Sequence, residues 1–213
     1  MARVLIQKSH YQEGRPCGWS GAPGECEWVL DLCGRIDAKR RGLFDVVWSK
    51  GDLQSGENDA AFKARHPELA GVFDAVLSVH YDANIYNGQG GWFWDRARND
   101  PRAADSDRWG AIFQRRYISL PGCPPLHLER RNPNTSDYHL WRQLGAFPQL
   151  LVEHGVGAPG APDHDWLRAN VDAIAATHVQ TLVEFLAIST PARPRAVIIA
   201  DIRRLLDELE RAR

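Results

Sequence analysis

Apolar positions along the 213-residue chain repeat with two periods, and the switches between them predict alternating strands and helices. Val4, Leu5 and Ile6 predict a first buried strand, followed by a Gly- and Pro-rich loop over 14–24. From about 25 to 41, Val29, Leu32, Cys33 and Ile36 stand at i, i+3, i+4 and i+7, which is one face of a helix, and Gly42 supplies its stop. Residues 44–48 read as a second strand, 59–65 as a short helix disturbed by Pro67, and 75–79 as a third strand. Strands at 91–94 and 150–152 stand on either side of a helix over 105–117. A long last helix over 166–188 carries its core stripe on Val171, Ile174, His178, Leu182 and Phe185.

This alternation predicts an α/β fold of three layers, a mostly parallel twisted sheet with helices on both faces. The unbroken apolar run at 150–152 fits a strand covered on both sides. The catalytic-sized unit is expected to span 1–189. Prolines at 191 and 194 then make 190–196 a linker, because the residue before a proline is pushed out of the helical region. A short amphipathic C-terminal helix is expected over 197–213, with Ile198, Ile202, Leu205 and Leu209 on one stripe, either docked on the domain or used for weak self-association.

Composition narrows the class. An apolar content of 44% excludes disorder, and the sequence holds no run of about 18 apolar residues, so no membrane insertion is expected. Lys and Arg total 26 against 27 Asp and Glu, which removes the electrostatic footprint of a nucleic-acid binder. The first ten residues hold only a three-residue apolar run, short of a secretory signal, so the chain is expected to stay in the cytoplasm or to reach a later site of action by another route. Cys17, Cys26, Cys33 and Cys123 form no CxxC pair. Most are expected as small core residues, although Cys17 is within loop reach of Cys26.

Familiar catalytic signatures are missing: the sequence contains no HExxH, GxSxG, GxGxxG or P-loop. His127-Leu-Glu129 has the H-x-E form of a zinc deaminase without the PCxxC partner. What remains is a set of ligand-type residues just past predicted strands: His10 after the first, His80 after the third, and Glu153 after 150–152. Catalysis gathers at the carboxyl ends of strands in open α/β sheets. Glu25 opens the first helix, where the dipole favours a carboxylate, with Glu27 a competing choice two residues on. Two histidines and one carboxylate are the open three-ligand set of a hydrolytic zinc, and a further carboxylate beside them can take a proton from water.

These segments resemble the zinc-dependent N-acetylmuramoyl-L-alanine amidases of type 3, over about residues 3–188. VLIQKSHYQEG matches the family's strand and first histidine ligand at His10. Glu25-Cys-Glu-Trp-Val-Leu-Asp-Leu-Cys33 is similar to the helix that opens on a glutamate ligand, with Leu30, Asp31 and Leu32 in register. Ser78-Val-His-Tyr-Asp-Ala83 resembles the segment of the third ligand, His80, and Pro148-Gln-Leu-Leu-Val-Glu-His-Gly155 the one that closes on the catalytic Glu153. Lys50 stands where the family has an arginine.

The resemblance implies one zinc ion per chain held by His10, Glu25 and His80, with peptidoglycan as the partner. The reaction it implies is hydrolysis of the amide between the lactyl group of N-acetylmuramic acid and the L-alanine of the stem peptide, with Glu153 taking and returning the proton. A phage or prophage endolysin is the role expected. Trp92 and Trp94, beside the third strand, and Arg131 and Asn134, in the polar loop before Glu153, are expected to bind substrate. The alternatives are a related zinc amidohydrolase acting on a small N-acylated amino acid, and an inactive wall-binding relative.

Overall fold

The computed structural model describes residues 1–50, 61, 64–82, 91–94, 102–128, 147–188 and 211. Its strands are β1 (Arg3–Lys8), β2 (Asp45–Trp48), β3 (Ala75–Asp82), β4 (Gly91–Trp94), β5 (Leu126–Leu128) and β6 (Gln149–Val156). The helices are α1 (Glu25–Arg40), α2 (Ala103–Tyr117), α3 (His164–Ala169) and α4 (Val171–Phe185), with a 3-10 turn at Pro67–Leu69. The six strands form one sheet in the order β2-β1-β3-β6-β4-β5. β1, β2, β3 and β6 run parallel, β4 is antiparallel to β6, and β5 is parallel to β4. The three-layer, mostly parallel α/β architecture is therefore the one expected, with two short strands reversed at one edge.

Side-chain alternation sorts the sheet into two chemically different faces. Val4, Ile6, Ala75, Leu77, Val79, Leu150 and Val152 point to the face packed by α1, α2 and α4, where Trp28, Leu32, Trp109, Phe113, Ile174 and Leu182 complete the main core. The predicted stripes of α1 and α4 are the ones buried. Leu5, Val76 and Leu151 point the other way, beneath Leu69 and Phe73. At its carboxyl end this second face changes character, because Gln7, Ser78, His80 and Glu153 continue the same alternation with polar groups. The functional side chains thus share one face and one end of the sheet.

Three expectations need correction. The third and last core strands run on to Asp82 and Val156, so His80 and Glu153 lie inside β3 and β6 rather than just after them. The long helix over 166–188 is two helices, divided at Asn170. There Asn170 leaves the helical conformation (φ −108°, ψ 8°), and its side-chain amide and backbone N–H both donate to the Trp166 carbonyl (2.9 and 3.0 Å). Cys17 and Cys26 are joined in a disulfide, since the loop brings their Cα atoms to 5.4 Å. Cys33 and Cys123 are free, and burial pushes both thiols up to about 12.

Among the described residues no helix is long and apolar enough to cross a membrane. Most of the 59–65 helix, the 190–196 linker and, apart from Arg211, the 197–213 helix lie outside the described residues.

Candidate metal centre and active site

The site is assembled by three stretches of chain that meet at the carboxyl end of β1 and β3. His10 follows β1 with φ +51°, a left-handed conformation unusual for a residue with a Cβ and one that is found where function constrains the backbone. Glu25 is the first residue of α1 and is almost fully buried, whereas Glu27 is exposed, which separates the two acidic candidates. His80 lies in β3 and is register partner of Glu153 in β6.

Ligand-type atoms of His10, Glu25 and His80 all lie within 4.8 Å of one another. His10 Nε2 is 3.6 Å from Glu25 Oε2, and His80 Nδ1 is 3.3 Å from Glu25 Oε1. Zinc–nitrogen and zinc–oxygen bonds of about 2.0–2.1 Å at tetrahedral angles require ligand atoms about 3.3 Å apart. Each histidine stands near that spacing from one of the two Glu25 oxygens, and two neutral imidazoles with one carboxylate are a donor set that leaves a coordination position open.

Glu25 is held from several sides. Its Oε2 accepts the Ala22 N–H (3.0 Å), and its Oε1 accepts from the Ser9 hydroxyl (3.1 Å) and the Tyr81 N–H (3.3 Å). Burial alone would raise its carboxyl pKa, but the hydrogen bond and charge of His80, the charge of His10 and the Ala22 N–H outweigh burial and leave it below the ordinary value. The Ala22, Ser9 and Tyr81 donors favour the ionised carboxylate, the form in which it can ligate a metal.

Each histidine turns one nitrogen to the cluster and the other to a serine. His10 Nδ1 is 2.9 Å from Ser20 Oγ, and His80 Nε2 is 3.0 Å from Ser78 Oγ. Ser9 Oγ lies between two of the candidate ligands, within hydrogen-bond distance of both Glu25 Oε1 and His80 Nδ1. Glu153 is largely buried, with Oε1 3.9 Å from His80 Nδ1. A carboxylate so placed can exchange protons with a molecule held at the cluster.

The other face of the same two strands carries a second pair of imidazoles. His154 Nδ1–H donates to the His80 carbonyl (2.7 Å), and His154 Nε2 lies 2.7 Å from His178 Nε2 of α4. Both rings are fully buried, beside Trp28, Phe113 and Tyr117. The Tyr117 hydroxyl donates to the His154 carbonyl. This arrangement pins the β3–β6 register at the residues that carry the site.

The sequence matches no family model and no curated protein. Solved structures do match. Ami1 of Mycobacterium abscessus, an N-acetylmuramyl-L-alanine amidase, is 18% identical, with a TM-score of 0.64 over 87% of this chain and 98% of that one. The catalytic domain of the amidase CwlV from Bacillus (Paenibacillus) polymyxa is 14% identical, with a TM-score of 0.63 over 89% and 100%. The fold is that of the N-acetylmuramoyl-L-alanine amidases. The catalytic domain of the CD27L endolysin, which targets Clostridia difficile, shares it with a TM-score of 0.53 at 15% identity over 86% and 98%.

Within this amidase fold the structure brings together His10, Glu25, His80 and Glu153. The backbone register sets Trp92 opposite Glu153 and Trp94 opposite Leu151, while Arg131 and Asn134 lie outside the described residues. Reading the sequence misses Ser9, Ser20, Gly21, Ser78 and His154. A Cβ on Gly21 (φ +84°) would stand 2.4 Å from His10 Cγ and 2.9 Å from Glu25 Oε2, so the loop closes on the site only with glycine there. The one signal for Ser78 is its i, i+2 spacing to His80, which puts both on one face of a strand.

Proposed function

We propose that the protein is a zinc-dependent N-acetylmuramoyl-L-alanine amidase that hydrolyses the bond between the lactyl group of N-acetylmuramic acid and the L-alanine of the peptidoglycan stem peptide. The observation that carries this reading is the convergence of His10, Glu25 and His80, with Glu153 beside them, in a fold shared with solved amidases. The endolysin neighbour supports cell-wall lysis as the outcome. The Cys17–Cys26 disulfide supports action outside a reducing compartment.

In this reading His10, Glu25 and His80 would hold the zinc, with His10 Nε2 and His80 Nδ1 the nitrogens that face Glu25. When bound, zinc supplies a Lewis acid that polarises the scissile carbonyl and makes water acidic enough to attack near neutral pH. Glu153 accepts the proton of the attacking water at its carboxylate. It then delivers that proton to the alanine nitrogen as the C–N bond breaks, leaving a lactyl carboxylate on the glycan and a free amine on the peptide. Glu25 stays ionised throughout, held by Ala22, Tyr81 and Ser9.

Mass spectrometry of the products released from purified peptidoglycan tests this directly. The expected result is free stem peptides beginning at L-alanine, lost with a chelator and restored by added zinc. Cleavage at a different bond, or release that a chelator leaves untouched, would overturn the proposal.

A further inference from the structure

His80 is gripped on the side away from the cluster by a buried chain of two hydrogen bonds. Ser78 Oγ lies 2.5 Å from Gln7 Oε1 and 3.0 Å from His80 Nε2. The Gln7 oxygen can only accept, so the single Ser78 proton is committed to it. Ser78 Oγ is then left as an acceptor, and the proton in its contact with His80 must come from Nε2. The proton at Nε2 being held there, the one His80 can give up is that at Nδ1, which points to Glu25 Oε1 (3.3 Å) and to Ser9, whose own proton goes to Glu25; Nδ1 is thus the nitrogen left to offer a lone pair to a metal.

We infer that Ser78 and Gln7 are positioning residues for the metal, a relay across β1 and β3 that selects the tautomer and ring orientation of His80. The inference rests on the proposed zinc site. Burial gives the relay its weight. Ser78 is fully buried and Gln7 and His80 nearly so, and water has little access to take the place of a lost partner. His10 has a comparable contact with Ser20, but Ser20 is only partly buried in the loop, where water can stand in for its hydroxyl. Two contacts alike in kind are thereby unequal in effect.

The test measures zinc affinity of the full chain by competition with a chromophoric chelator, with circular dichroism as the control for folding. Ser78→Ala and Gln7→Met are expected to bind zinc about 10–100-fold more weakly, the range for losing the outer partner of a ligating histidine. Gln7→Glu keeps an acceptor for Ser78 and is expected to stay close to wild type. Ser20→Ala is expected to change affinity only about threefold or less, since water replaces the hydroxyl. In the zinc-loaded wild type, long-range proton–nitrogen NMR correlations should show His80 protonated at Nε2.

Wild-type affinity in both Ser78→Ala and Gln7→Met would overturn the relay. So would equal weakening in Gln7→Met and Gln7→Glu, which would indicate packing, or a His80 ring that is unprotonated at Nε2. Failure of the wild-type protein itself to bind zinc would instead overturn the metal reading beneath it.

Discussion

His80 and Glu153 are register partners on the adjacent parallel strands β3 and β6, and His80 Nδ1 lies 3.9 Å from Glu153 Oε1. One parallel pair therefore carries both a metal-ligand candidate and the proposed proton acceptor, and no loop movement is needed to bring them together. Glu153→Gln keeps the size and shape of the side chain but removes its capacity to take a proton. We expect turnover of peptidoglycan to fall about 10²–10⁴-fold, the usual worth of a general acid–base group, with zinc content unchanged. Wild-type turnover in that variant would remove the proton-transfer role.

Gly21→Ala tests the close approach of the loop to the ligands. The added methyl meets His10 Cγ and Cδ2 and Glu25 Oε2 at 2.4–2.9 Å, and the backbone there is left-handed. Neither ligand can retreat without leaving the cluster, because Glu25 is bound to Ala22 and Tyr81 and His10 to Ser20. The expected outcome is loss of zinc binding in a protein that still folds, read by metal analysis beside circular dichroism. Full zinc occupancy would show that the loop can open without cost.

The Cys17–Cys26 bridge closes the same loop, and Cys26 is the immediate neighbour of Glu25. Its ring spans a sequence separation of nine, for which chain entropy predicts about 2.5 kcal/mol of stabilisation. A Cys17→Ser, Cys26→Ser double variant should lose about 2–3 kcal/mol in denaturant unfolding and bind zinc more weakly, because the loop that carries Ser20 and Gly21 is no longer tethered. An unchanged unfolding midpoint would show that the bridge does not hold the loop.

The buried His154–His178 pair makes stability depend on pH. Burial pushes His154 down to about 3, its bond to the His80 carbonyl opposing only part of the effect. Burial, then the charge of His154, holds His178 well below its ordinary value. In the unfolded chain both titrate near 6.5. Between about 6.5 and 3 the unfolded state therefore binds protons that the folded state does not, so stability falls on acidification through that window. Each histidine contributes up to about 1.4 kcal/mol per pH unit. Urea unfolding between pH 7 and 5 should show this slope, reduced by about one proton in His178→Gln, whose amide still donates to His154. An identical slope in the variant would rule out His178 as a source.

Much of the fold was legible because periodicity is local. The α1 face at Val29, Leu32, Cys33 and Ile36 and the α4 stripe from Val171 to Phe185 are buried as their spacing requires. Strand ends were less legible: His80 and Glu153 interrupt apolar runs and so look like the first residues of loops, yet the parallel ladder carries them within the sheet. The break at Asn170 was hidden for a similar reason, since the buried Leu167 and Val171 keep helical spacing across it and only the backbone angles of one residue depart from the helix.

The sequence by itself determined the order of strands and helices, the two-period sorting of core positions, and the candidates His10, Glu25, His80 and Glu153. Only the tertiary structure decided which nitrogen of each histidine faces the cluster, that Ser9, Ser20 and Ser78 attend the candidate ligands, and that Cys17 pairs with Cys26. The physical reason is range. An amphipathic stripe depends on residues a few positions apart, whereas the Gln7–Ser78 bond joins residues 71 positions apart. A hydrogen bond of that kind exists only once β1 and β3 have paired in register, and there the choice of donor and acceptor is set.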